Sequence, residues 1–341
     1  MHTLQQVIKQ INQTHKGLGP MVAMNLIAAK SKRCILNIAP AGCGKSTATN
    51  ILFNILRGRV SRYGSITLAG LHFLQKELNN FEDTIIVDDL GAEKSVWSRV
   101  ATVSTLSHLT YAHEVSKYTQ SLQLKISDFH GSVAFNVQPV LMQSIIDSDD
   151  WVAVIRDKII RYYHLVRPSK PATFVPQVKI DWGPDVSTVR VGKFKGRMYW
   201  RLFGQGLLEW SAARCSEHIP VMLKAAAALD GRHEVKVSDY IILSKLMRNF
   251  TLERYMIETW GFESARTFQQ NAYYLMVEFA SFPHLTHEQI AIDYKVSPRT
   301  VSRLLETVKE YCFVKNNDGR SIQPTDYAKQ ILEASGVYDK W

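Results

Sequence analysis

The stretch Cys34-Ile-Leu-Asn-Ile-Ala-Pro-Ala-Gly-Cys-Gly-Lys-Ser-Thr47 decides how the rest of the chain is read. An apolar run, "CILNI" (34–38), leads into a turn rich in small residues, and a helical pattern follows from Lys45. A turn that presents several backbone N–H groups to one anion excludes bulky side chains at the closest approach. Gly42 and Gly44 meet that need, and the positive end of the following helix faces the same point. In this reading Pro40, Ala41, Gly42, Cys43, Gly44, Lys45, Ser46 and Thr47 wrap the phosphates of a nucleoside triphosphate. Lys45 reaches the outer phosphates and Ser46 ligates Mg²⁺. The spacing is G-x-x-x-x-G-K-[ST] with Ala39 in the first glycine position.

Downstream, "TIIVDD" (84–89) ends a β-branched run in two carboxylates. A strand that apolar places Asp88 and Asp89 at its C-terminal edge, where ligands bind in open α/β sheets. Asp88 is then expected to hold Mg²⁺ through water and Asp89 to polarise the attacking water. A further apolar run, "SVAFNV" (132–137), carries Asn136, whose amide is expected to orient water against the γ-phosphate. Arg156 precedes the last strand-like run, "IRYYHLV" (160–166), and is expected to face the phosphates of a neighbouring subunit. With "SITLAG" (65–70) as another strand and helical patterns over 45–57, 71–79 and 95–116, the first 167 residues read as parallel strands joined by crossovers.

At 341 residues the chain is long enough for two or three domains, and 46% hydrophobic with 21% charged residues is an ordinary globular balance. No apolar run approaches 18 residues, so no membrane span is expected. Four scattered cysteines without a CxxC pair and 11 histidines without paired spacing signal no zinc site or disulfide framework. A reduced cytoplasmic setting follows as an expectation. The net charge of +10 leans towards an anionic partner such as nucleic acid. The expected division is a nucleotide-binding core over 1–167, a linker with inserted strands over 168–204, a helical region over 205–280, and a basic C-terminal region over 281–341. The run "RMYWRLF" (197–203) reads as core and strand residues rather than as a base-stacking platform.

Near the C-terminus, "LTHEQIAIDYKVSPRTVSRLLETV" (285–308) has the pattern of a helix-turn-helix. Thr286 caps the first helix with Gln289, Ser297 caps the second, and Pro298 takes its first position. Ile290, Ala291, Val296, Val301, Leu304 and Leu305 face inward, which leaves Arg299, Thr300, Ser302 and Arg303 on the open face for DNA. "CFVKNNDGRSIQPT" then reads as a hairpin whose turn is flanked by Lys315 and Arg320, the composition of a wing lying on a phosphate backbone.

The order phosphate loop, "IIVDD", "VAFN", pre-strand Arg156 resembles the Walker A, Walker B, sensor 1 and arginine-finger order of the AAA+ superfamily of P-loop ATPases. The resemblance implies an α/β fold: an AAA+ (ASCE P-loop) parallel sheet with a helical lid and a C-terminal winged helix. It also implies ATP and Mg²⁺ as cofactors, and a homo-oligomer in which Arg156 acts in trans. "VDDLGAEKSVWSR" is similar to the Walker B segment of bacterial helicase-loader and transposition-helper ATPases, whereas a core ahead of a winged helix resembles origin initiators of the archaeal and eukaryotic type. Arg214 stands where the lids of this superfamily place an arginine on the γ-phosphate, and 117–130 stands where some of its helicases carry a DNA-touching β-hairpin. The function implied is a DNA-binding ATPase that assembles on duplex DNA and loads or remodels a helicase, recombinase or other replication protein. The competing reading is a nucleotide-switched winged-helix transcription regulator with little turnover. A strand-threading helicase has weaker support, because its pore residues are not evident.

Overall fold

The computed structural model describes residues 2–15, 17–118, 123–164, 177–180, 182–192 and 196–255. In the C-terminal region it describes 288, 291–292, 295–303, 306, 313–315, 322–324, 326–336 and 341. The chain opens with two helices, α1 (Leu4–Thr14) and α2 (Leu18–Lys30), then runs β1 (Cys34–Ile38), α3 (Lys45–Ile55), β2 (Val60–Tyr63) and α4 (Leu68–Leu78). Next come β3 (Thr84–Val87), α5 (Val96–Ala112), a hairpin of β4 (Val115–Tyr118) and β5 (Gln123–Ile126), β6 (Ser132–Val137), α6 (Pro139–Ile146) and β7 (Ile159–Tyr163). Helices α7 (Gly196–Gly206), α8 (Ala212–Leu229), α9 (Val237–Met247) and α10 (Thr251–Tyr255) follow.

The expected α/β architecture is present as a five-stranded sheet in the order β2-β3-β6-β1-β7, every neighbouring pair parallel. A parallel sheet is covered on both faces, which is why its central strands read as near-continuous apolar runs. Leu36, Val87, Val133 and Phe135 enter one core with α4, α5 and α6. Ile35, Ile86, Ala134 and Ile160 enter a second core with α1, α2, α3, α8 and α9. All thirteen residues of α2 are buried, so this helix lies inside the second core rather than on the surface.

Two elements differ from expectation. "SITLAG" is no strand: Thr67 takes the amide of Gly70 at 3.0 Å and caps α4, while the strand forms just upstream as β2. "RMYWRLF" is no strand either but the body of α7, because Met198, Tyr199, Leu202 and Phe203 recur at helical spacing and turn together onto the second core. Residues 117–130 do contain a hairpin strand pair, with Lys117 opposite Leu124 and Tyr118 exposed near its tip.

In the C-terminal region the amide of Thr300 donates to the Ser297 hydroxyl at 3.1 Å, the expected cap, with Lys295 at φ 53° in the turn before it. Ala291 and Val301 are buried, and Arg299, Ser302 and Arg303 are exposed. Strands β8 (Phe313–Lys315) and β9 (Ile322–Pro324) pair antiparallel, followed by a helix Asp326–Ala334. Thr286, Gln289, Ile290, Leu304, Leu305, Arg320 and most of the 167–177 linker lie outside the described residues. Among the described residues no helix is long and apolar enough to cross a membrane.

Candidate functional site

The phosphate loop leaves the C-terminal end of β1, its first amide, Ala39 N–H, donating to the Val137 carbonyl at 3.1 Å. Gly42 and Gly44 both take left-handed backbone, φ 79° and 85°, which a side chain would strain. Gly44 occupies the capping position of α3 without a side-chain cap, so the first amides of that helix are open to a ligand. Lys45 begins the helix and folds back over the loop, donating to the carbonyls of Ala39 and Pro40, the latter at 3.0 Å. Burial holds its ammonium below the ordinary lysine value, against the opposing influence of Cys43 and Asp89. Ser46 is exposed beside it and Thr47 half-buried.

The carboxylates arrive at the same edge on β3, one strand beyond β6. Asp88 accepts from Arg62 Nε at 2.5 Å, and Arg62 also donates to Asn50 Oδ1 at 2.8 Å. The second oxygen of Asp88, Oδ1, is buried and has no partner among the described residues. Asp89 is exposed and uses Oδ1 to take the Gly91 amide at 2.8 Å, capping the short turn Leu90–Ala92. A hydroxyl and a carboxylate with an unpartnered oxygen form a donor set suited to a hard divalent cation, so Ser46 and Asp88 fit Mg²⁺.

Asn136 has a different setting from the one expected. It is 2% exposed, and its side chain lies in a buried polar chain beneath the loop. Its Nδ2 donates to Thr49 Oγ1 on α3 at 2.8 Å, and its Oδ1 accepts from Asn37 Nδ2 at 3.3 Å. Asn37 in turn exchanges two bonds with Asn25 of α2, at 2.8 and 2.9 Å. In the parallel register Asn37 and Asn136 are direct neighbours, so both amides fall on one face of the sheet. Sequence reasoning missed Asn25, Asn37, Thr49, Asn50 and Arg62. The signal for Asn37 was present, since it interrupts "CILNI", as Asn25 interrupts "MVAMNLIAA".

Arg156 is exposed in the short turn Arg156–Lys158, at the opposite edge of the sheet. Ile159, the start of β7, pairs with Cys34, the start of β1, whereas the phosphate loop leaves the far end. The turn is held firmly: the Ser211 amide donates to Asp157 Oδ1 at 3.0 Å, Trp210 Nε1 to the Ile159 carbonyl at 3.0 Å, and His218 Nε2 lies 3.1 Å from the Asp157 carbonyl. Burial pushes the His218 imidazole down to about 4.

Arg214 requires a correction. It stacks on the Tyr111 ring at 4.0 Å, donates to the Tyr111 hydroxyl and pairs with Glu217 at 2.7 Å. Together with Glu217 it acts electrostatically on Arg33, the residue just before β1. That is the edge of Arg156, a strand length of roughly 13 Å from the phosphate loop. Arg214 is therefore not brought to the γ-phosphate of its own chain, because α8 starts at the N-terminal edge of the sheet.

Behind β7 lies a buried charge cluster that no motif foretold. Arg161 is fully buried, pairs with Glu253 at 2.5 Å and lies over the Trp151 ring at 5.2 Å. Tyr163 donates to the same Glu253 oxygen at 3.0 Å, and the Arg161 amide donates to Glu209 at 3.0 Å. Burial pushes the Glu209 carboxyl up to about 8 despite Arg161.

No protein-family model matches this chain, and no curated protein sequence matches it. Among solved structures, the chain is similar to the RuvB Holliday junction branch migration motor of Thermotoga maritima. The two are 12% identical, with a TM-score of 0.26 over 93% of this chain and 94% of that one. It is also similar to the C-terminal region of NrS-1, at 12% identity and a TM-score of 0.28 over 93% of this chain and 74% of that one.

Proposed function

We propose that this chain is a DNA-binding AAA+ ATPase that assembles on duplex DNA with ATP and remodels or loads a complex in DNA replication or mobile-element processing. The observation that carries the reading is the meeting of Lys45 and the Asp88–Asp89 pair at one edge of a parallel sheet, beside an uncapped helix start. Backbone amides from Gly42 to Ser46 cradle the phosphates, and Lys45 turns from the Ala39 and Pro40 carbonyls to the outer phosphates. Ser46 and Asp88 would hold Mg²⁺, which when bound would neutralise charge on the phosphate oxygens. Asp89 leaves its cap on Gly91 to accept a proton from the attacking water. Asn136 ties the end of β6 to α3, the helix that starts at the phosphate loop, through Thr49.

Arg156, exposed at the far edge, supplies its guanidinium to the site of the next subunit. Arg299, Thr300, Ser302 and Arg303 meet duplex DNA, with Lys315 and Arg320 along the backbone as a wing. The test is steady-state ATP hydrolysis against protein concentration, with and without duplex DNA, using Lys45→Ala as the blank. A rate per subunit that climbs with concentration and with DNA supports the reading. Negligible turnover beside tight ATP and DNA binding transfers it to the nucleotide-switched regulator.

A further inference from the structure

Helices α7 and α9 enclose a cleft of about 600 Å³ lined by Arg197, Arg201, Tyr240, Lys245 and Arg248, among others. Four of its described lining residues are cationic and none is acidic. Arg197 and Arg201 are one turn apart, about 6 Å along α7, and both are exposed. Lys245 and Arg248 come from the end of α9 and the turn after it. Lys245 lies over the Trp341 ring at 5.0 Å, and the two exposed arginines of α7 add like charges whose mutual repulsion a polyanion lying along the cleft would relieve.

A second, independent feature sits on the same helix. Trp200 lies between the two arginines in sequence and is 65% exposed. Its ring is braced edge-on by Phe203 at 5.4 Å and Tyr199 at 5.9 Å, so it is held as a platform while much of it faces solvent. The apolar side of α7 is already used: Met198, Tyr199, Leu202 and Phe203 pack on the second core. That argues against a membrane surface, which needs a free apolar face. A basic groove beside a braced, open aromatic ring is instead what a single nucleic-acid strand needs, with phosphates on the cations and a base on the ring.

We infer that the α7–α9 cleft binds single-stranded nucleic acid, with Arg197, Arg201, Lys245 and Arg248 on the phosphates and Trp200 stacked on a base. This deepens the proposed DNA function by adding a strand site separate from the duplex-facing C-terminal region. It rests on the nucleic-acid part of that reading and not on ATP turnover.

The experiment measures binding of the full chain to a fluorescein-labelled 20-nucleotide oligothymidylate by anisotropy across a salt series. Arg197→Glu with Arg201→Glu should weaken binding at least tenfold. The neutral pair Arg197→Gln with Arg201→Gln should flatten the slope of log affinity against log salt by about 1.4, two contacts at about 0.7 each. Trp200→Ala should cost about tenfold with the slope unchanged, the loss of one stacked base. Unchanged binding in the glutamate pair overturns the inference. So does loss confined to phosphatidylserine vesicles, and so does a Trp200→Ala variant that binds normally while inorganic polyphosphate competes equally well. If the wild-type chain hydrolyses no ATP yet binds oligothymidylate through this cleft, the inference stands and the ATPase reading falls.

Discussion

Asn37→Ala is expected to destabilise the protein far more than its size suggests. The side chain accepts one bond from Asn25 and donates one each to Asn25 and Asn136, all in a buried setting. Removing it leaves two acceptors, Asn25 Oδ1 and Asn136 Oδ1, without those donors, while Asn25 Nδ2 keeps the Met21 carbonyl at 2.8 Å. A buried polar group left unsatisfied costs about 1–3 kcal/mol, so the loss is roughly 2–6 kcal/mol. That is a large part of the ~5–15 kcal/mol that stabilises an ordinary domain. Urea unfolding followed by circular dichroism measures it, with the transition slope checked for constancy. The singles leave three orphaned acceptors between them and the double variant Asn25→Ala with Asn37→Ala leaves only Asn136 Oδ1, so the double should cost roughly 2–6 kcal/mol less than the sum of the singles. A loss below about 1 kcal/mol for Asn37→Ala, or an additive double variant, would refute the reasoning about the buried chain.

Arg156→Ala should lose hydrolysis while keeping nucleotide binding, and activity should return on mixing with a subunit altered only at Asp89. No recovery in the mixture, measured as phosphate release, rules out action in trans. Arg299→Ala with Arg303→Ala should weaken duplex binding and leave the DNA-free hydrolysis rate unchanged; equal affinity in a gel shift would make this region a protein-docking module. Glu209→Gln tests the cluster behind β7. With its carboxyl raised from 4.5 to about 8, the folded state keeps a proton that the unfolded chain releases, so this group lowers stability as pH rises across that window. The glutamine variant should therefore gain in melting temperature over wild type at pH 8 relative to pH 5, and an equal difference at both pH values contradicts the assignment.

The phosphate loop and the carboxylate strand end were legible because each combines a local rule with a strict order. Left-handed glycines, a helix start and a β-branched run are all written within a few residues. The capped turn at Ser297 was legible for the same reason. The Asn25–Asn37–Asn136–Thr49 chain was not, since its members are far apart in sequence and meet only through the register of β1 with β6. Arg62 was missed because the strand that carries it forms upstream of the run that looked most like a strand. Arg214 was misjudged on a different ground: a spacing along the chain says nothing about which edge of the sheet a later helix starts from. Trp200 looked like a strand residue because aromatic residues favour strands, yet the apolar spacing around it is helical.

The burial of α2 on all sides bears on how the protein is made. Its cover on one side is the sheet and on the other includes α8, which ends at Leu229. At ~5–20 residues per second, synthesis from the end of one helix to the end of the other takes about 10–40 s. Through that interval a helix buried along its whole length emerges from the ribosome ahead of the partner that shields it. The N-terminal half then depends on chaperone shelter, or on a loose docking of α1, until the later helices arrive and close over it.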